Sequence, residues 1–182
     1  MNGFNRRFLA ACTTALIAMG WSGLSHATHV SALAAPIAWT KGQQVLPTRD
    51  FGVFQTPLVP FGASSAAETH DLRVAIASYR AAADAANTKA LDHFLHQYPN
   101  SAWRIALLAN EGLAYEQAGL FSQAIARLHA AWQLRALAKT EPQRALIEQT
   151  YGALLHLHTV FGHEKAAQAL LQEGKGLVLS GA

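Results

Sequence analysis

The feature that most constrains this chain is a regular spacing of large and small residues across residues 105–131. One stretch places a large, a small and a large residue at i, i+4 and i+7, the spacing of one helix face: Leu108, Gly112 and Tyr115. The following stretch repeats the spacing with Ala124, Leu128 and Ala131. Small residues let two backbones approach closely, while large ones fill the space beside them. The pattern predicts two short antiparallel helices around one turn.

Two residues between these stretches predict the turn. Gly119 stands where the first helix should end in a left-handed residue, a conformation that glycine adopts at little cost. Ser122 follows, and its hydroxyl is predicted to cap the second helix.

The same residues resemble the tetratricopeptide repeat (TPR), a helix pair of about 34 residues. Eight positions fit its pattern: Leu108, Gly112, Tyr115, Gly119, Phe121, Ala124, Leu128 and Ala131. Repeats of this kind bury their apolar faces against neighbouring repeats. The resemblance implies an all-α fold, a right-handed α-solenoid of antiparallel helix pairs. It also implies a scaffold that binds other molecules.

Repeat units are predicted at about 71–104, 105–138 and 148–181, within a helical domain at 68–182. In the first unit, Ala90 and Phe94 fit the second helix. Its first helix lacks the tyrosine and the glycine and has these residues at the packing positions: Val74, Ala77, Ser78 and Ala81. The segment from Lys139 to Pro142 predicts a helix stop and restart before the third unit. That unit is fitted by Tyr151, Leu154, Leu155, Gly162, Ala167 and Leu171, and departs from the pattern with His158 in the tyrosine position and Gly174 in the last small position.

The N-terminus has the features of a secretory signal peptide over residues 1–27. Arg6 and Arg7 precede an uncharged run, and Ser25-His26-Ala27 matches a small-x-small cleavage site. An uncleaved membrane anchor is the alternative, although the run holds several Thr, Ser and Gly residues and is short for a span of about 20 residues. We expect export to the periplasm or outside the cell, with a membrane role only if the segment stays uncleaved.

Residues 28–67 are predicted to form an irregular extension rich in proline and aromatic residues. Four of the six prolines lie here, and prolines this dense prevent a helix: Pro36, Pro47, Pro57 and Pro60. Aromatic side chains are expected to hold part of the segment against the helical domain: Trp39, Phe51, Phe54 and Phe61.

Composition and motifs argue against several function classes. Cleavage after Ala27 would leave 12 basic and 11 acidic residues and no cysteine. A chain with this near-zero net charge lacks the stripe of basic residues that nucleic acid binding requires. Neither a Gly-x-Ser-x-Gly element nor a strand-linked phosphate loop occurs. We therefore expect no enzyme activity, no cofactor and no nucleic acid partner.

The nine histidines raise metal binding as an alternative function. His93 and His96 are spaced i, i+3 on one helix, whereas His156 and His158 point to different faces. None of them completes a recognised metal motif, so no metal ligand is assigned.

The resemblance also implies where a partner binds. In the family, the first helices of successive repeats line a concave groove, and an asparagine often contacts the backbone of the ligand. Carried over by position, the predicted groove residues are Tyr79, Asn110, Leu113, Glu116, Gln117 and His156. Their mixed character suits an extended peptide or a partner helix.

A narrower resemblance covers about residues 70–135. The stretch from Phe94 through Tyr98-Pro99-Asn100-Ser101 to Tyr115 is similar to the N-terminal region of some large secreted bacterial proteins with Rhs-type repeats. It implies an alternative in which the chain is a truncated domain of such a protein, with no independent activity.

Overall fold

The computed structural model describes residues 53–177, and every regular element in this range is helical. The six α-helices are α1 (Ala66–Ala81), α2 (Lys89–Gln97), α3 (Arg104–Gln117), α4 (Phe121–Gln133), α5 (Glu141–Val160) and α6 (Glu164–Glu173). A 3₁₀ turn at Arg135–Leu137 joins α4 to α5. The all-α prediction is confirmed for the described range. The signal segment 1–27 lies outside it. None of the helices between residues 53 and 177 has the length and apolar character of a membrane span.

The predicted hairpin is formed by α3 and α4. Its six packing residues are buried, and the backbones approach so closely at Gly112 that an added Cβ would lie 2.6 Å from Leu128 Cγ. Gly119 has φ +73° and ends α3 as predicted. The prediction that Ser122 caps α4 is wrong, because α4 begins at Phe121 and its N-cap residue is Leu120. The Leu120 N–H instead donates to Tyr115 O at 2.8 Å, so the helix restarts at once after the turn.

The turn after α5 repeats this arrangement. Gly162 has φ +66°, and the His163 N–H donates to His158 O at 2.8 Å. In both hairpins, the residue after a left-handed glycine closes a hydrogen bond to the fifth residue before it, as in the Schellman motif. The predicted restart before α5 is also confirmed, because Pro142 lies in its first turn.

The packing face that the repeat pattern assigns to α1 is wrong. Val74 is 53% exposed, and the other three residues predicted for that face are exposed as well: Ala77, Ser78 and Ala81. The buried face consists of Leu72, Ala75, Ile76 and Tyr79. Leu72, Ile76 and Tyr79 bury more apolar area than the alanine and serine side chains of the predicted face, which explains the rotated helix.

The predicted packing face of α6 is shifted by one residue. Leu170 is buried at 4% exposure, whereas Leu171, assigned to that position, is 48% exposed. Glu173 accepts a hydrogen bond from Trp132 Nε1 at 2.8 Å. Gly174 lies against the ring of Tyr151, where an added Cβ would be 2.5 Å from Cε2. These two contacts fix the rotation of α6.

Candidate peptide-binding groove

Residues 53–61, which we call the strap, lie across α1, α3 and the start of α5. At one end, the ring of Phe54 stacks on Tyr79 with centroids 5.7 Å apart and planes at 10°. Tyr79 is buried, and its hydroxyl donates to Ala85 O at 2.8 Å. Phe54, one of the aromatic residues expected to hold the extension, makes this contact, while Trp39 and Phe51 lie outside the described residues.

Asn110 holds the middle of the strap through backbone atoms. Its Oδ1 accepts from the Thr56 N–H at 3.0 Å, and its Nδ2 donates to Thr56 O at 3.2 Å. The same Nδ2 donates to Ala106 O within α3 at 2.9 Å, which fixes the amide plane. A side chain that pairs with both backbone groups of one residue recognises extended chain without reading its side chain.

The strap continues to the start of α5. Leu58 is 1% exposed, and Pro60 O accepts from Gln143 Nε2 at 2.7 Å. The Phe61 N–H donates to Ala102 O at 2.7 Å. Gln143 is held in turn, since its Oε1 accepts from the Thr140 N–H at 3.0 Å. The two ends of the strap are thus anchored on different helices.

Alternate side chains point inward over residues 54–58 of the strap. Phe54 is half-buried and Thr56 and Leu58 are buried, while Gln55 and Pro57 are exposed. This period of two is the geometry of an extended peptide on a surface. The alternation ends at Leu58, because residues 59 and 60 are buried as well. The fit is incomplete at Thr56, because its buried Oγ1 has no hydrogen-bond partner among the described residues. Leaving a buried hydroxyl unpaired costs about 1–3 kcal/mol.

The six predicted groove residues have different environments. Tyr79 and Asn110 meet at the strap. Leu113 and Glu116 are partly buried and Gln117 is exposed, all further along α3. His156 is exposed on α5. Their role toward a partner stays a prediction.

Two residues that hold the strap were missed at the sequence level. Gln143 and Ala102 bind its carboxyl end, but neither falls at a groove position of the repeat pattern. The strap itself was detectable in part, because Pro57 and Pro60 favour extended backbone around alternating inward residues.

A cluster of charged side chains surrounds Glu111, which follows Asn110 in sequence; Glu111 is buried, while Arg127 and Asp92 are partly exposed. The side chain of Glu111 is fully buried, with Oε2 3.2 Å from Arg127 Nε, and Arg127 also pairs with Asp92. Burial raises the pKa of Glu111 to about 8, although the Arg127 charge opposes this. Thr88 Oγ1 donates to Asp92 at 2.9 Å and lies 2.6 Å from the Tyr115 hydroxyl, so the cluster joins α2, α3 and α4.

The histidines do not converge on one point in the described range. His158 and His163 are paired, with their Nδ1 atoms 3.2 Å apart. Burial and the nearby His163 and His129 lower the pKa of His158. Among residues 53–177, no three His, Cys, Asp or Glu side chains are grouped closely enough to hold a metal ion.

Comparisons with protein-family models, curated proteins and solved structures found no match for this chain.

Replacing Asn110 with alanine is expected to loosen the strap. The variant loses both hydrogen bonds to Thr56, so the Thr56 amide should exchange with solvent at least about tenfold faster. Hydrogen exchange followed by NMR measures this, and the exposed Gln117→Ala on the same helix is the control. An unchanged exchange rate at Thr56 would contradict this role of Asn110.

Proposed function

We propose that this chain is an exported TPR-like scaffold, a right-handed solenoid of antiparallel helix pairs, that binds a protein or peptide partner without catalysis. Two consecutive hairpins that close on the same glycine turn support the repeat arrangement. The partner binds in extended form on the face of α1, α3 and α5.

The observation that carries this proposal is the pairing of Asn110 with the backbone of Thr56. A buried amide that offers an acceptor and a donor to one residue is a device for holding extended chain. It stands at the position where the family resemblance implies a contact with the ligand backbone. The site therefore has the chemistry of peptide recognition, which rests on main-chain hydrogen bonds and alternate side-chain pockets.

The free part of the face follows Asn110 along α3. Leu113 and Gln117 lie at i+3 and i+7 from Asn110, so they share its side of the helix, and Glu116 lies beside them. Gln117 is exposed and Leu113 is partly buried, which gives a partner both polar and apolar contacts. His156 is the residue of α5 that we assign to the same surface.

Peptides selected from a displayed library test the proposal. The mature chain and its Phe54→Ala variant serve as targets, because removing the stacked ring weakens the strap. Selected peptides should bind about five- to tenfold more weakly to the double variant Glu116→Ala, Gln117→Ala, as expected when rim contacts are lost.

The control for this test is Gln168→Ala, an exposed substitution on α6. Circular dichroism should show the same helicity in all variants. The proposal would be contradicted if neither target selected a peptide. It would also be contradicted if the selected peptides bound the double variant Glu116→Ala, Gln117→Ala as tightly as the unsubstituted protein. Either result would favour the alternative of a truncated domain without an independent ligand.

A further inference from the structure

Building on the proposed function, we propose that the strap is an internal ligand of the groove and that the partner displaces it with a segment of the same pattern. That pattern is an aromatic residue, a small residue two positions later, and proline and leucine directly after it. In the strap these are Phe54, Thr56, Pro57 and Leu58.

The strap occupies the groove in the way a bound peptide does. Its central contact is made by main-chain atoms of Thr56, so any extended segment can make it. Specificity lies in the inward side chains, with Phe54 on Tyr79 and with Leu58, Val59 and Pro60 buried. A competing segment needs apolar side chains at the positions of Phe54 and Leu58, with the same spacing between them.

The strap can leave without unfolding α1. Ser65 caps this helix by accepting from the Glu68 N–H at 3.1 Å, and Ser64 Oγ accepts from Trp103 Nε1 at 3.1 Å. These contacts hold the start of α1 independently of the strap. Gly62 and Ala63, which join the two, are both exposed. The junction between ligand and scaffold therefore lies at residues 62–63.

The strap does not bind the groove as tightly as a segment with a different residue at position 56 could. The buried hydroxyl of Thr56 has no partner within residues 53–177, so the strap loses affinity at this position. Valine has the same shape without the hydroxyl. A segment with valine here would bind more tightly than the native strap.

The competing segment belongs to a different protein rather than to a second copy of this chain. A tethered strap has an effective concentration of about millimolar or more, so a competitor needs contacts that the strap lacks. The strap of a second copy would make the same contacts as the strap that it displaces, and no additional ones. A partner whose segment continues along α3 to Glu116 and Gln117 gains additional ones.

A reversible lock on the strap tests this proposal. A Cβ added at Gly62 would lie 4.0 Å from Ala102 Cβ, within the range of about 3.5–4.5 Å found in disulfides. The full chain with Gly62→Cys and Ala102→Cys, and with Cys12→Ser to avoid mispairing, can therefore be locked by oxidation. The probe is a fluorescent peptide of residues 52–63 in which valine replaces Thr56.

The reduced protein should bind the probe at least about tenfold more tightly than the oxidised protein, because the disulfide keeps the carboxyl end of the strap, at Pro60 and Phe61, on the scaffold and the probe cannot replace it there. In the chain without added cysteines, Phe54→Ala should raise the affinity for the probe by about fivefold or more. Phe121→Ala should not, since Phe121 is an exposed aromatic residue that contacts Phe161 instead. The comparison of Phe54→Ala with Phe121→Ala tests the internal-ligand proposal if the cysteine variant does not fold.

Equal binding by the oxidised and reduced forms, or no binding by any variant, would overturn the internal-ligand proposal. Dimerisation of the Phe54→Ala variant without binding of the probe would also overturn the proposal, because the strap of a second copy would then occupy the groove. The scaffold function is judged separately, by the dependence of library-selected peptides on Glu116 and Gln117.

Discussion

Replacing Gly112 with alanine is expected to lower the free energy of unfolding by about 2 kcal/mol, although alanine is the better helix former. The added Cβ would lie 2.6 Å from Leu128 Cγ and 3.2 Å from the Leu128 backbone nitrogen. Leu128 is fully buried and cannot swing away, so α3 and α4 must separate. Urea unfolding followed by circular dichroism measures the loss.

Gly152→Ala is the matched control for this prediction. Gly152 lies within α5, is exposed, and has no atom within 4 Å of an added Cβ. Here alanine should raise stability by about 0.5–1 kcal/mol, because only helix propensity changes. In addition, Leu128→Ala should cost less in the Gly112→Ala background than in the native one, since each change relieves the other. Equal effects of the two glycine substitutions would contradict the close approach at Gly112.

Replacing Glu111 with glutamine is expected to remove a large pH dependence of stability. Burial raises the pKa of this carboxyl to about 8 in the folded chain, from an ordinary value near 4.5. Between these values the unfolded chain loses the proton and the folded chain keeps it. The native protein should therefore lose stability as the pH rises through this window, by on the order of 3 kcal/mol.

Glutamine does not titrate, so the variant should not show this loss. Its free energy of unfolding relative to the native chain should rise by on the order of 3 kcal/mol between pH 4.5 and 8. The comparison cancels all other groups, including His158, whose lowered pKa makes stability rise with pH around neutrality. Urea unfolding at several pH values measures the difference, with Glu116→Gln on the same helix as control. Parallel pH profiles for the native chain and Glu111→Gln would show that burial does not perturb this carboxyl.

The helical hairpin at residues 104–133 was predictable because its signals are local. Gly119 acts on the backbone within a few residues of itself through its positive φ, and Gly112 acts across one short turn, on Leu128 of the next helix. Where such signals are absent, the repeat pattern misplaced the packing faces. In α1, larger side chains elsewhere on the helix took the buried positions. In α6, contacts of Glu173 with Trp132 and of Gly174 with Tyr151 set the rotation.

The sequence by itself determined the helical class and the central hairpin, while the role of Asn110 toward a partner stays a prediction. The contact that Asn110 makes within the chain, with the backbone of Thr56, was decided only by the tertiary structure. Thr56 pairs with a residue 54 positions away, and Pro60 with one 83 positions away. No periodicity of the chain encodes such contacts, because they depend on how α1, α3 and α5 assemble into one surface. The burial of Glu111 has the same origin, since helices α2, α3 and α4 enclose it only after they pack.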